Sequence, residues 1–185
     1  MTAPLTPEQH KDLSDAKERA GSFLGAAKVA TFNGWTVGFF AVVSILSGLV
    51  SPTGFLVGVG LAVVARNELV GRARLRALDP SGLELLWRNQ VGFLTLIIAY
   101  CGWSMYRAVA APNPQLAQFT EFLGEDMENL IQSLTLTLYS VVIVATGIFQ
   151  GLNARYYFVR VSRIRDYVRD TPRWVLDLQR STLTE

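Results

Sequence analysis

The chain has 185 residues, of which half are apolar and 17% are charged, and its formal net charge is +2. That charged fraction lies below the roughly 25% that is typical of soluble domains. The composition favours a membrane protein that forms one compact bundle, and the small net charge excludes a chain that is strongly basic throughout.

The first 28 residues predict an amphipathic helix. Thr6, Pro7 and Gln9 have the spacing of a capping box with proline at the first helical position. Charges of both signs follow, and no apolar stretch of the signal-peptide type comes before residue 29. We therefore expect residues 1–28 to be retained as a cytoplasmic helix.

Four apolar segments are candidates for membrane spans, at about residues 29–50, 55–70, 91–111 and 130–153. A helix needs roughly 20 apolar residues to cross the hydrocarbon core. The second segment reaches this length only if its helix continues through Arg66, Asn67 and Glu68, with long side chains extending to the headgroups. The prediction is an all-α bundle of four transmembrane helices, and a three-span bundle is the alternative.

Short turns predict that neighbouring spans are antiparallel. Ser51 and Pro52 suit the N-cap and first position of the second helix. Between the second and third spans, three arginines precede a turn that contains Pro80 and Gly82. These arginines predict that the second turn is cytoplasmic.

The loop at residues 112–129 differs from the other connections because it is acidic. Leu116, Phe119, Phe122 and Leu123 recur there at helical spacing, which predicts a short amphipathic helix at the outer interface. Two interpretations remain open: a helix that packs its apolar side over the bundle, and a docking site for a partner.

Residues 154–185 predict a basic cytoplasmic tail. Its apolar residues share one side of a helix: Phe158, Val161, Ile164, Tyr167 and Val168. Arginines occupy the remaining positions. We expect the helix of the fourth span to continue into this tail, and a basic amphipathic helix directly after a span suits the anionic inner leaflet. Binding of a cytoplasmic protein is the alternative, while interleaved aspartates argue against nucleic acid as a partner.

The distribution of charge predicts the topology. All lysines and all arginines except Arg107 flank the apolar segments on one alternating side, whereas the loop at 112–129 carries four acidic residues. By the positive-inside rule, both termini lie in the cytoplasm. Together with the short loops and arginine-rich flanks, this favours a multi-pass protein of a bacterial inner membrane.

Pairs of glycines separated by three residues predict close helix packing, since they allow two backbones to approach. The pairs are Gly34 and Gly38, Gly54 and Gly58, and Gly147 and Gly151. Packing within the chain and homo-oligomerisation both fit this pattern.

A polar stripe follows one face of the fourth span: Gln132, Thr135, Tyr139, Thr146 and Gln150, with Asn153 at its inner end. Polar groups are costly towards lipid. The stripe therefore predicts interhelical hydrogen bonds or, alternatively, the lining of a pore or cavity.

A second polar group is expected at the inner mouth of the bundle, if the helices pack in sequence order. Its candidate members are Arg66, Asn67, Glu68, Arg88, Asn89, Gln90, Asn153 and Arg155. Structural pairing is one interpretation, and a binding or gating site is the other.

The inventory of reactive residues argues against catalysis. His10 is the only histidine and Cys101 the only cysteine, so the chain holds no internal disulfide, no His or Cys metal cluster and no serine-based triad with a buried histidine. We expect no cofactor and no metal. Glu68 is the only carboxylate placed to serve an enzyme that acts on lipid.

These observations predict a non-enzymatic integral membrane protein. Its expected role is that of a structural or accessory subunit, acting through helix packing and a basic cytoplasmic face, with other membrane subunits or itself as partner. A homo-oligomeric channel lined by the polar stripe is the alternative.

Overall fold

A computed structural model describes the chain at residues 6–49, 51–110 and 125–184. Almost all of these residues are helical, and none of them forms a strand. In chain order the helices are α1 (Pro7–Ser47), α2 (Pro52–Arg76), α3 (Ser81–Ala110), α4 (Glu125–Asp170) and α5 (Arg173–Thr184).

The first four helices are long and apolar enough to cross a membrane, judged by length and composition. The doubtful second segment lies within α2, which continues past Glu68 and has 25 residues. At 1.5 Å per residue it measures about 37 Å, against a hydrocarbon core of roughly 30 Å. The all-α class and the four candidate spans are confirmed, which favours the four-span prediction over the three-span alternative.

Two helices are longer than the sequence pattern predicts. The expected helix at residues 1–28 and the first span form one helix, α1. The fourth span continues without a break into the tail as α4, as predicted, but α4 begins at Glu125 rather than near residue 130. No proline lies inside either helix, so nothing in the backbone forces a boundary. The amphipathic helix expected around residues 116–123 lies outside the described residues.

The start of α1 has the predicted capping box. The Gln9 amide donates to the Thr6 hydroxyl at 3.3 Å, and the Thr6 amide donates to the Gln9 side chain at 2.9 Å. Ser51 is the N-cap of α2 with Pro52 following, as predicted, but its side chain makes no capping hydrogen bond. The two caps therefore contribute differently to stability.

The turn between α2 and α3 is tightly fixed. Leu78 has a φ of 57°, which is uncommon for a residue other than glycine, and its side chain is buried. The Asp79 amide donates to the Arg74 carbonyl at 2.9 Å, as in a Schellman motif. The Asp79 carboxylate accepts hydrogen bonds from the Ser81 amide at 2.9 Å and from its hydroxyl at 2.7 Å. This geometry sends α3 back along α2.

The chain divides into two compact units. The terminal unit comprises Met1–Gln90 and Asn153–Glu185, and the middle unit comprises Val91–Leu152. The apolar core belongs to the terminal unit and draws on all five helices. Its larger members are Phe23, Leu75, Leu78, Leu83, Leu86, Tyr157, Val161, Ile164, Tyr167, Val175 and Leu176.

A repeat of alanines makes this core possible. Ala16, Ala20, Ala26, Ala27 and Ala30 are buried along one side of α1. Their small side chains leave room for larger ones, as where the rings of Phe23 and Tyr167 meet edge to face at 5.2 Å. The N-terminal half of α1 is thus held by packing within the protein.

Candidate functional site

A buried polar cluster lies in the terminal unit, where α2 and α3 face each other. The side chain of Glu68 is completely buried. Its Oε1 atom accepts hydrogen bonds from Asn89 Nδ2 and from Gln90 Nε2, each at 2.7 Å. Asn89 Nδ2 also donates to the Val64 carbonyl at 3.0 Å, and Asn67 Nδ2 donates to Asn89 Oδ1 at 3.2 Å. Two helices are therefore joined by a network of amides around one carboxyl group.

Close helix approach brings these side chains together. A Cβ atom on Gly71 would lie 2.6 Å from the side chain of Leu86, and one on Gly82 would lie 2.8 Å from the Gly71 carbonyl oxygen. Any larger residue at Gly82 would push the backbones apart, because its first obstacle is backbone. The turn at residues 77–80 and these glycines set the register that aligns Glu68 with Asn89 and Gln90.

Tyr157 of α4 completes the cluster. Its side chain is completely buried, and its hydroxyl group lies near Glu68 and near Asn33 of α1. Neither Tyr157 Oη nor Glu68 Oε2 has a hydrogen-bond partner among the described residues. We use the name buried polar cluster for these six residues from four helices: Asn33, Asn67, Glu68, Asn89, Gln90 and Tyr157.

Four of the eight residues predicted at the inner mouth belong to this cluster, namely Asn67, Glu68, Asn89 and Gln90. The three arginines of that prediction, Arg66, Arg88 and Arg155, are exposed, and Asn153 is half-buried. The Arg88 guanidinium lies 5.5 Å from the centre of the Trp87 ring. The charged residues thus lie outside while the amides and the carboxyl group lie inside.

Sequence reasoning missed Tyr157 and Asn33. Tyr157 lies just beyond the fourth span, one position before the apolar side assigned to the tail. Only its hydroxyl group distinguishes it from a packing residue. Asn33 is the one amide side chain of the first span, at residues 29–50. A polar residue so placed is a signal for an internal hydrogen bond.

The polar stripe of the fourth span lies in the middle unit and is half-buried along its length. Gln132 Nε2 donates to the Ala108 carbonyl at 3.4 Å, and the rings of Tyr139 and Tyr100 meet edge to face at 6.1 Å. The Thr135 hydroxyl donates to the Ile131 carbonyl within its own helix at 2.8 Å. The stripe therefore contacts the third span at these points.

Glycines of the two units have different surroundings. In the terminal unit, added Cβ atoms on Gly34, Gly54 and Gly58 would lie 2.6–3.0 Å from neighbouring atoms, and one on Gly38 would lie 3.7 Å from Ala65. Gly147 and Gly151 have no described atom within 4 Å of such a Cβ. For this last pair, packing against a second chain or another protein stays a prediction.

The apolar side of the basic tail packs largely within the chain. Val161, Ile164 and Tyr167 are buried in the core, whereas Phe158 is exposed. The three buried side chains have an apolar partner in α1, as where Phe23 meets Tyr167, and contact of the basic tail with the inner leaflet stays a prediction. The sequence could not reveal this, since core packing and interfacial binding require the same pattern.

The arginines of the terminal unit fall into two groups. Arg160 lies 3.5 Å from the centre of the Tyr156 ring and donates to the Ser22 carbonyl at 3.2 Å, and Arg165 pairs with Glu84. Others have no ion pair or hydrogen bond to the described residues: Arg66, Arg72, Arg76, Arg155, Arg163 and Arg173. This second group is available to anionic groups outside the chain.

Comparison with protein families, with curated proteins and with solved structures finds no match. Function is therefore inferred from the residues of this chain.

Proposed function

We propose that this chain is a non-enzymatic, multi-pass integral membrane protein that serves as a structural or accessory subunit of a membrane assembly. Both termini and the arginine-rich surface lie in the cytoplasm, and the membrane is a bacterial inner membrane. The protein acts through helix packing and through contacts of its arginines with anionic groups, and it does not catalyse a reaction.

The observation that carries this proposal is the exposure of large apolar side chains on the four candidate spans. Trp35 is 70% exposed and Phe149 is 71% exposed, and many other aromatic and branched side chains on these helices are similarly uncovered. Soluble monomers rarely expose apolar patches larger than a few hundred Å². Contact with lipid tails keeps such side chains away from water, so their exposure on the helices carries no hydrophobic penalty in a membrane.

Two further features support the accessory role. The glycine face of Gly147 and Gly151 has no described neighbour in the chain, and lipid contact does not require glycine there. In addition, the arginines that lack an internal partner fit an anionic leaflet or an acidic partner surface. The arginines belong to the terminal unit, whose buried core holds the helices that carry them.

A homo-oligomeric channel is the second candidate, and one atom favours it. Gln150 Oε1, on the polar stripe, is buried and has no hydrogen-bond partner among the described residues. A water path or a second copy would supply that partner. The contacts of Gln132 and Tyr139 with the third span favour packing instead, since those side chains are already engaged.

The test is purification of the full chain from its native membrane in mild detergent, followed by mass measurement and identification of stoichiometric partners. We expect the wild type to co-purify with other membrane proteins in fixed ratio, and Gly147→Leu to lose them. Gly102→Leu is the matched control, because Gly102 also has no described neighbour but lacks a second glycine four positions away.

Two results would overturn the accessory role. A ring of identical chains with the fourth span towards its axis would establish the channel instead. A monomer that has no partner, and that both variants leave unchanged, would exclude assembly altogether. A reporter fused after Glu185 tests the topology separately: we expect it to be active only on the cytoplasmic side, and an external reporter would contradict the proposal.

A further inference from the structure

The buried polar cluster contains two polar atoms that lack partners, and they are neighbours. Glu68 Oε2 and Tyr157 Oη are both buried without a hydrogen bond among the described residues. About nine in ten or more buried polar groups in proteins have a partner. Two such atoms side by side can be each other's partner, and the direction of their hydrogen bond depends on whether Glu68 is charged.

No basic side chain neutralises Glu68. The ion pairs of the described residues involve Glu84, Asp166, Asp170 and Asp177 but not Glu68. Towards Glu68, α3 presents only the amides of Asn89 and Gln90. The α4 helix presents the phenol of Tyr157, with Tyr156 beside it, and α1 presents the amide of Asn33 beyond that phenol. An ionised carboxylate in this place would be a buried charge without a counter-ion, which is strongly unfavourable.

Three occupants are chemically reasonable, and the donor set distinguishes them. A metal cation such as Na⁺ or Ca²⁺ needs several oxygen ligands, yet Asn89 and Gln90 present nitrogen atoms to Glu68. The Asn89 amide is fixed in this orientation because its nitrogen also donates to Val64 and its oxygen accepts from Asn67. A water molecule would satisfy hydrogen bonds but would leave the charge in place. The Tyr157 hydroxyl can donate to Oε2 by itself, but the charge again remains. A proton on Oε2 both makes the hydrogen bond and removes the charge.

We propose that Glu68 is a proton-binding site, in which the carboxyl group carries a proton on Oε2 and donates it in a hydrogen bond to Tyr157 Oη. The proton comes from water, so that a carboxylate and a hydronium ion give a carboxylic acid and water. Oε1 keeps its two amide donors, and the Tyr157 hydroxyl is free to donate to Asn33. Glu68 Oε2 and Tyr157 Oη then each have a partner.

The bound proton has a structural consequence. It extends the network from Asn67 and Asn89 through Glu68 to Tyr157, and thereby joins α4 to the pair formed by α2 and α3. When the proton leaves, the Tyr157 hydroxyl has to turn and donate to Oε2, which keeps the link between the helices but leaves a buried anion without a counter-ion. One proton therefore sets the charge of this junction and the direction of its hydrogen bond. This inference concerns the inside of the terminal unit and is independent of the accessory role proposed above.

Infrared difference spectroscopy of the full chain in detergent at neutral pH tests the proposal directly. We expect the wild type minus Glu68→Gln spectrum to contain the carbonyl stretch of one protonated carboxylic acid, shifted in heavy water. The matched control is Glu84→Gln, because Glu84 pairs with Arg165 and its loss should remove carboxylate bands only. Tyr157→Phe should keep the acid band but change its frequency, since the acceptor is lost. Carboxylate bands in the Glu68 difference spectrum would overturn the proposal.

Thermal unfolding gives a second and independent measurement. In Glu68→Gln the new side chain has the hydrogen-bonding pattern of the neutral acid. Its oxygen can accept from the two amides, and its N–H can donate to Tyr157. The Tm of this variant should therefore equal that of the wild type. Glu68→Ala leaves two buried amide donors without an acceptor and should lower Tm by about 4 °C or more. If Na⁺, K⁺ or Ca²⁺ raises the Tm of the wild type but not that of Glu68→Gln, the site binds a metal cation and the proton assignment is wrong.

Discussion

The terminal unit and the middle unit treat their apolar residues in opposite ways. The terminal unit buries a core that draws on all five helices, whereas in the described part of the middle unit Cys101 is the one buried apolar residue. Lipid is as apolar as a protein core, so helices in a bilayer gain little hydrophobic free energy from covering one another. We therefore expect the stability that is intrinsic to the chain to reside in the terminal unit.

The sharpest test replaces the same residue type in both units. Phe23→Ala in the terminal unit removes a completely buried ring and should lower the free energy of unfolding by about 3–5 kcal/mol. Phe149→Ala in the middle unit removes a ring that is 71% exposed and should change it by less than about 0.5 kcal/mol. The free energy of unfolding of each variant is measured in mild detergent, with unfolding monitored by the loss of the helical circular dichroism signal. Equal losses in the free energy of unfolding for the two variants would contradict a difference in stability between the units.

The glycines provide a second test, with a smaller expected effect. The Cβ atom of Gly58→Ala would lie 2.7 Å from the backbone nitrogen of Ile45, so α1 and α2 must separate. This overpacking should cost about 1–3 kcal/mol. Gly147→Ala meets no described atom within 4 Å and should leave the isolated chain as stable as the wild type or, through helix propensity, more stable.

The same unfolding measurement decides between these outcomes for the two glycines. A destabilised Gly147→Ala chain would mean that the middle unit packs more closely within one chain than its surface indicates. An unchanged Gly58→Ala chain would mean that the α1–α2 hairpin adjusts without cost.

The smallest expected effect concerns two helix caps within the terminal unit. Thr6→Ala removes a side chain that accepts the Gln9 amide and should cost about 1 kcal/mol. Ser51→Ala removes a side chain that makes no capping bond, so we expect a loss of no more than a few tenths of a kcal/mol. Hydrogen exchange of the amides in the first turn of each helix measures this difference. Equal protection in both variants would show that the capping box adds nothing to α1.

The sequence predicts local features of this protein well. The Thr6 capping box, the Ser51–Pro52 helix start and the Pro80–Gly82 turn depend on residues near one another in the chain, and each is found at its predicted place. The four apolar segments are also local, because span length depends on composition alone. The amides beside Glu68 were predicted to meet because short turns leave few ways to pack consecutive helices.

Other features depended on contacts between distant residues. The tail's apolar side has the same 3.6-residue period whether it meets a leaflet or α1, and only the fold shows Ile164 against the core. Gly58 and Gly147 each belong to a pair of glycines separated by three residues. An added Cβ atom on Gly58 would meet the backbone of α1, whereas one on Gly147 would meet no described atom within 4 Å.

The apolar segments and the charges that flank them could be read from the sequence, because they follow from local propensity and from burial in lipid or water. The pairing of helix faces became visible only in the fold. It placed Tyr157 of α4 beside Glu68 of α2, 89 positions away, and left the arginines around that carboxyl group exposed. The physical reason is that a periodic pattern specifies a face, whereas the partner of that face is selected by packing between segments far apart in the chain.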